Sequence, residues 1–285
     1  EPKDHVELGK LLGAIDTERG AKVAGSRSYY LTGAGALLEF ALVNYAISSA
    51  TKAGFIPVIP PVLVNPAAME GTGFLGQAAE NVYHLERDEV YLVGTSEVPL
   101  AAMHMDEILP VEKLPLRYAG YSTCFRREAG TYGKDTRGII RVHQFEKVEI
   151  IQIVPPEKSD DVLNEMVTHV ENLLISLGLP YRILKLCGGD MGFASAITYD
   201  FEVYSAAQQM WLEVSSVSNF QAYQTYRMKC RYKDAEGKTQ FTHSLNGSSL
   251  ALPRIFAAIV ENYQTETGIA LPKVLQPYFG AENLV

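Results

Sequence analysis

The chain has 285 residues, 47% of them hydrophobic and 20% charged, and 33 acidic against 25 basic side chains give a net charge of −8. That apolar content excludes disorder as the main state, and the acidic balance argues against binding nucleic acid through bulk positive charge, leaving a local basic patch as the route for any such contact. Cys124, Cys187 and Cys230 are odd in number, far apart and in no C-x-x-C pair, which argues against a disulfide framework or a cysteine zinc site and fits a reducing, cytoplasmic setting.

Residues 1–20 are charged throughout, unlike a secretory signal, and the chain begins with Glu1 rather than Met, as a fragment or trimmed chain would. Asp4 followed by Glu7 has capping-box spacing and predicts a short first helix. Residues 28–31 read as a short strand. The apolar stretch 34–53 is interrupted by Glu39, Asn44 and Lys52, so it reads as a buried helix ended by Gly54 rather than as a membrane span. Residues 55–64 mix β-branched residues with Pro57, Pro60 and Pro61, which confines that strand to an edge or an interface, because proline has no N–H for a ladder. A hairpin follows at 82–85 and 90–93, then a helix over 95–109 from a Thr cap. Residues 116–127 and 141–154 are long strands on either side of a glycine- and charge-rich loop at 128–140, the pattern of a binding loop over a sheet.

Pro155 and Pro156 open an amphipathic helix whose Val162, Met166, Val170, Leu173 and Leu177 share a face, stopped by Gly178 and Pro180. Strands at 181–187, 199–204 and 210–217 come next, and the segment 245–250 leads into a helix over 251–264. Strands in runs, helices around them and no βαβ alternation predict an α+β fold with a mostly antiparallel sheet. No repeat or linker interrupts the chain, so residues 1–285 read as one domain.

Four constellations could carry chemistry. In the first, strand alternation puts Arg126 and Glu128 on one face, and Arg141, His143, Phe145, Lys147 and Glu149 on another strand's face. Arginine binds phosphate bidentately, an aromatic ring stacks on a base and a carboxylate accepts from an exocyclic amine, so nucleotide binding is one reading. Cross-strand ion pairs on an exposed sheet are the other. The second is Thr95-Ser96-Glu97, which alone is a common helix start. The third, Glu213 to Ser216, offers the oxygen ligands a hard cation prefers, or simply a polar strand edge. The fourth is Asn246-Gly247-Ser248, followed by Arg254 on the next helix, where small residues allow close approach and Arg254 could reach a phosphate tail, or lie on a solvated face.

Taken together the four resemble the three signature motifs of class II aminoacyl-tRNA synthetases. The wording from Lys3-Asp4-His5-Val6-Glu7-Leu8-Gly9 through Thr95-Ser96-Glu97 to Ser244-Leu245-Asn246-Gly247-Ser248 resembles the bacterial-type seryl-tRNA synthetase family over essentially the whole chain. The resemblance implies a catalytic domain without the family's N-terminal tRNA-binding helical hairpin, so its binding of serine tRNA is expected to be weak. It implies that residues 54–63, with Pro61, pack across a homodimer two-fold. Arg126 corresponds to the motif residue at the ATP α-phosphate, Glu128 and Phe145 to those at adenine, and Arg254 to that at the γ-phosphate. Glu213 and Ser216 correspond to ligands of a catalytic Mg2+, and Thr95, Glu97, Arg126, Glu149, Asn246 and Ser248 to positions around bound serine. Residues 129–140 correspond to the flexible loop that meets the tRNA acceptor end. Ser248 stands where some members carry Thr, and Pro253 where a less rigid residue is common.

The reaction implied is attack of the serine carboxylate on the α-phosphorus of ATP, giving seryl-adenylate and pyrophosphate, followed by transfer to tRNA. A carboxylate nucleophile has no proton to lose, so His143 is expected in a hydrogen-bond network and not as a base. Two other classes remain open from the residues: a tRNA-independent ligase that loads an amino acid onto a carrier protein, which uses cysteine zinc ligands, and an inactive paralogue with a structural role.

Overall fold

The computed structural model describes residues 2–76, 79–131 and 136–284. A seven-stranded sheet organises them: β1 (Ile56–Val58), β2 (Leu116–Phe125), β3 (Gln144–Val154), β4 (Tyr181–Lys185), β5 (Ile197–Ser205), β6 (Met210–Gln221) and β7 (His243–Ala251), in the order β4-β5-β6-β7-β3-β2-β1. Every neighbouring pair is antiparallel except β1 with β2, which accords with the α+β expectation. The proline-bearing segment 55–64 breaks into two pieces. β1 takes the sheet edge, as prolines require, and Leu63–Val64 joins a small separate sheet with Tyr83–Leu85 and Val90–Leu92.

Three helices cover one face of the large sheet: α1 (Ala34–Lys52), α2 (Ser159–Ser176) and α3 (Leu252–Asn262). Their buried Leu38, Leu42, Met166, Val170, Phe256 and Ile259 pack with Val148, Ile150, Phe201 and Val217 from the strands in one apolar cluster. Burial of these side chains at about 1.5–3 kcal/mol each fixes which sheet face is left for chemistry. α1 is not buried all round, since Leu37 and Phe40 are more than half exposed. The first helix, His5–Leu11, is capped as its spacing predicts, with Asp4 accepting from the Val6 and Glu7 amides. It packs beside α3.

Several boundaries differ from the sequence reading. The helix from Thr95 runs only from Glu97 to Ala102, because Asp106 bends at φ 61° and donates its amide to the Met228 carbonyl. Ile108–Pro110 then pairs with Arg231–Lys233 as a strand. The strand before the charged loop stops at Phe125, and the one after it starts at Gln144, leaving Arg126, Glu128, Arg141 and His143 on connecting segments. The segment at 245–250, which leads into α3, is the middle of the central strand β7, where a Cβ on Gly247 would lie 2.8 Å from a Val217 methyl. Of the loop 129–140, residues 132–135 lie outside the described part.

Candidate active site

The open face of the sheet carries the polar side chains. On β3, Phe145, Lys147 and Glu149 alternate toward it while Val148 and Ile150 point into the core. Their partners in register follow the same rule: Ser248 of β7 opposes Glu149, and Asn246 opposes Ile151.

Strict alternation fails at three places in the large sheet, two of them at the cleft. Between Ser248 and Leu250 the register shifts, so that Ser249 is an extra residue, Ser248 faces the site and Leu250 faces the core. Phe201 opposes Ser215 while Glu202 opposes Glu213, so Val214 is also extra. Glu213 and Ser216, three residues apart, therefore share a face that regular pleating would deny them. Such β-bulges re-aim side chains next to functional sites. The two are joined: the Ser215 hydroxyl donates to the Ser248 carbonyl.

One cleft is lined by Arg126, Glu128, Phe145, Glu213, Ser248 and Arg254, with Arg141 and Lys147 among its walls. The Arg126 guanidinium lies over the Phe145 ring at 5.2 Å, and its Nε donates to the Gly94 carbonyl at 3.2 Å. Glu128 sits at φ 53° and its carboxylate pairs with Arg141 at 3.4 Å. The base of the loop is braced from outside: Arg27 Nη1 donates to the Glu128 carbonyl at 2.9 Å, and the Ala129 amide donates to Asn81 Oδ1 at 2.8 Å. Arg254, on the first turn of α3, donates to the Glu213 carbonyl at 2.6 Å. Burial holds its pKa below the ordinary arginine value. His143 Nδ1 donates to the Arg126 carbonyl at 3.0 Å, the network role expected of it.

Deeper in lies a buried polar cluster, the candidate serine pocket. Glu149 Oε2 accepts from Thr95 Oγ1 and from Ser248 Oγ, each at 3.3 Å, and pairs with the Lys147 ammonium. Lys147 Nζ also reaches Ser248 Oγ at 3.3 Å. Glu97 is buried beside this cluster and accepts from Gln224 Nε2 at 2.7 Å. Burial, then the nearby Glu149, push Glu97 up to about 7. Ser248 belongs both to this pocket and to the cleft, so the two are continuous.

Of the residues selected from sequence, Arg126, Glu128, Phe145, Glu213, Ser248 and Arg254 line the cleft, Thr95, Glu97, Glu149 and Asn246 lie in the buried cluster behind it, and Ser216 falls in neither. Ser216 stands further along β6, opposite Asp200, with which it hydrogen-bonds. Asp200 Oδ1 is buried without a partner among the described residues. Burial, then the neighbouring Glu213 and Glu202, raise its carboxyl to about 6. Carboxylates held together against their own repulsion beside a hydroxyl fit a hard divalent cation. Four contributors carried no assigned role from sequence: Lys147 and Arg141, which stood in the first constellation, and Asp200 and Gln224, which stood in none. The first two shared the alternation with Phe145 and Glu149, which was signal enough. The other two are known only from tertiary contacts.

An antiparallel sheet backed by three helices, with an arginine–aromatic cleft leading into a hydroxyl-lined acidic pocket, is the layout of a class II tRNA synthetase core. Residues 82–263 match the tRNA synthetase class II core domain (G, H, P, S and T) family. Serine–tRNA ligase 1 of Streptomyces avermitilis is 56% identical over 286 residues, spanning all of this chain and 67% of that protein. The serine–tRNA ligase of Acidothermus cellulolyticus is 52% identical over 284 residues and is likewise matched over 67% of its length. The seryl-tRNA synthetase of Pyrococcus horikoshii complexed with ATP superposes with a TM-score of 0.97 at 41% identity, over all of this chain and 64% of that one. A Giardia lamblia prolyl-tRNA synthetase, at 15% identity and a TM-score of 0.83, shares the fold. The chain belongs to the serine–tRNA ligase family of class II synthetases, and it spans about two thirds of the length of the relatives it matches. No helix among the described residues is long and apolar enough to cross a membrane.

Proposed function

We propose that residues 1–285 form one catalytic domain that activates L-serine with ATP, giving seryl-adenylate and pyrophosphate, and passes the seryl group to the 3′ end of serine tRNA. The observation that carries this reading is the continuity of the two sites through Ser248, which puts a hydroxyl-recognising pocket at the inner end of a cleft lined by Arg126 and Arg254.

Adenine stacks on Phe145 with Glu128 at its amino edge. Arg126 takes the α-phosphate and Arg254 the γ-phosphate. Serine enters between Thr95, Glu97, Glu149, Asn246 and Ser248, its carboxylate toward Arg126. Rate enhancement then comes from alignment of the carboxylate with the α-phosphorus and from fixed positive charge where negative charge builds. Glu213 and Ser216, with Asp200 behind them, would hold Mg2+, which when bound neutralises phosphate charge and orients the leaving group. A site that pairs with a hydroxyl discriminates strongly against an analogue lacking it. Alanine would leave the Glu149–Ser248 group unpaired, and threonine would be refused by size.

A homodimer through the 54–63 region is supported by the apolar side chains left open there: Ile56 and Ile59 on the edge segment, Leu37 and Phe40 on α1. Serine tRNA would meet the loop at 129–140, and the setting is the cytoplasm. A carrier-protein ligase of the zinc type has less support, since its cysteine ligands have no counterpart here: Cys124, Cys187 and Cys230 are free and none belongs to a group of three His, Cys, Asp or Glu side chains arranged to hold a metal among the described residues.

The test is ATP–pyrophosphate exchange with Mg2+ across all twenty amino acids, without tRNA. Exchange with serine alone supports the proposal. Exchange with glycine or alanine would favour the carrier-protein ligase, and none with any amino acid an inactive paralogue.

A further inference from the structure

Gln224 lies outside all three signature motifs, on the short helix Tyr223–Arg227, yet it is fully buried against the serine pocket. Its amide is held on three sides. Nε2 donates to Glu97 Oε1 at 2.7 Å and toward the Thr72 carbonyl at 3.4 Å, and Oε1 accepts from Ser244 Oγ at 2.8 Å. Two acceptors on one end and a hydroxyl donor on the other fix which way the amide points.

Glu97 faces charged groups on one strand, Glu149 and Lys147 of β3, and neutral polar groups elsewhere: Gln224, Asn246 of β7 and the Thr95 hydroxyl, which accepts the Glu97 amide. We infer that Gln224 is a positioning residue for substrate choice, holding the Glu97 carboxylate in the orientation that the ammonium group of the amino acid requires. The inference rests on the serine-site reading above. A charge-assisted hydrogen bond in a buried site is worth more than a neutral one. It also acts on the charge itself: the Gln224 hydrogen bond draws the pKa of Glu97 down against burial and Glu149. Without it Glu97 holds its proton to higher pH, and a protonated Glu97 cannot pair with an ammonium.

The experiment is serine-dependent ATP–pyrophosphate exchange on the full chain from about pH 6 to 9, with Gln224→Met, Gln224→Glu and Glu97→Gln. For Gln224→Met the serine KM should rise about tenfold, the scale of one lost hydrogen bond to a charged group. ATP KM and kcat should hold, and the pH at which serine affinity reaches half its limit should move up. Gln224→Glu keeps the size and serves if the Met variant does not fold. Its protonated carboxyl can still donate and its ionised form repels Glu97, so serine affinity should fall as pH rises, the reverse of wild type. Serine and ATP KM rising together with no change in the pH profile would mean a merely structural role and overturn the inference. Unchanged serine KM in Gln224→Met, with a raised one in Glu97→Gln, would sink the inference and spare the site. Unchanged serine KM in Glu97→Gln would sink both.

Discussion

His5 Nδ1 donates to Glu261 Oε1 at 2.7 Å, and His5 Nε2 accepts the Ile139 amide at 3.3 Å. With Nε2 taken up by the Ile139 amide, Nδ1 is the ring nitrogen that donates to the carboxylate. Both side chains are fully buried. Glu261 lies about two turns along α3 from Arg254, and Ile140, next to Ile139, offers its carbonyl to Arg254 Nε at 3.4 Å. The first helix, the end of the motif loop and α3 are thereby tied together around the nucleotide cleft.

Removing the carboxylate should therefore be costly. Glu261→Ala strands His5 and the Ser205 hydroxyl, which also donates to Glu261, and about 2–4 kcal/mol of stability should be lost in urea unfolding. Burial alone would raise the Glu261 pKa, but the His5 and Ser205 hydrogen bonds bring it below its ordinary 4.5. The contribution is thus complete above the unfolded value and disappears as pH falls through the folded one. Stability of the variant should depend less on pH in that acid range than wild type. Equal acid slopes would contradict this account.

Glu39 has the opposite sign. It sits on the core side of α1, with Oε1 buried and unpartnered among the described residues. Burial, then Glu146, push it from 4.5 up to about 8. A raised carboxyl binds its proton more tightly in the folded state, so stability is present below 4.5 and drains away as pH climbs through 8. Glu39→Gln should match wild type below about pH 4.5, pull ahead of it between 4.5 and 8 and keep that margin above 8, each unit of displacement being worth about 1.4 kcal/mol. Melting temperatures of both proteins across that range decide it, and a Gln variant that gains nothing in base refutes it.

Much of this architecture can be read before any coordinates. The Asp4 cap, the apolar run of α1, the periodicity of α2, the hairpin and the run of antiparallel strands follow from local rules, and the resemblance to class II motifs supplied the candidate site residues. What escaped is tertiary. The Thr95 helix ended early because Ile108–Pro110 found a strand partner in Arg231–Lys233, with Leu109 buried against Ile153 and Cys230. Nothing in the local pattern announces that partner. The bulges at Val214 and Ser249 are equally silent: a period of two places Glu213 and Ser216 on opposite faces, and only the pairing with β5 corrects it. Gln224 and Asp200 act through contacts made by chain far away in sequence.

Arg126 offers a direct test of the nucleotide cleft. Its guanidinium already stacks on Phe145 and is steered by the Gly94 carbonyl, so it is held in place before any substrate arrives. Arg126→Ala should cost about 2–4 kcal/mol in adenylate formation, the loss of a preorganised charge partner in the transition state. Exchange kinetics with serine and ATP measure it. A loss smaller than about tenfold, in a variant that melts like wild type, would remove Arg126 from the α-phosphate.

The cation site can be tested without turnover. Glu213 and Ser216 share a face through the Val214 bulge, and Asp200 hydrogen-bonds Ser216 from β5. Mn2+ is a probe for the same oxygen ligands, and its binding to the protein with a non-hydrolysable ATP analogue can be followed by magnetic resonance. Glu213→Gln should weaken it as the loss of a ligand. Asp200→Asn, which keeps the shape but not the charge behind Ser216, should weaken it by about 10–100-fold, the range for partners of metal ligands. The wild-type affinity should also depend on pH. Asp200, raised to about 6 by burial and Glu213, must lose its proton before it adds its charge to the site, so affinity should climb as pH passes that value and level off above it. The Asn variant should lack that step. Mn2+ affinity indifferent to both substitutions would place the cation elsewhere, on the phosphates alone.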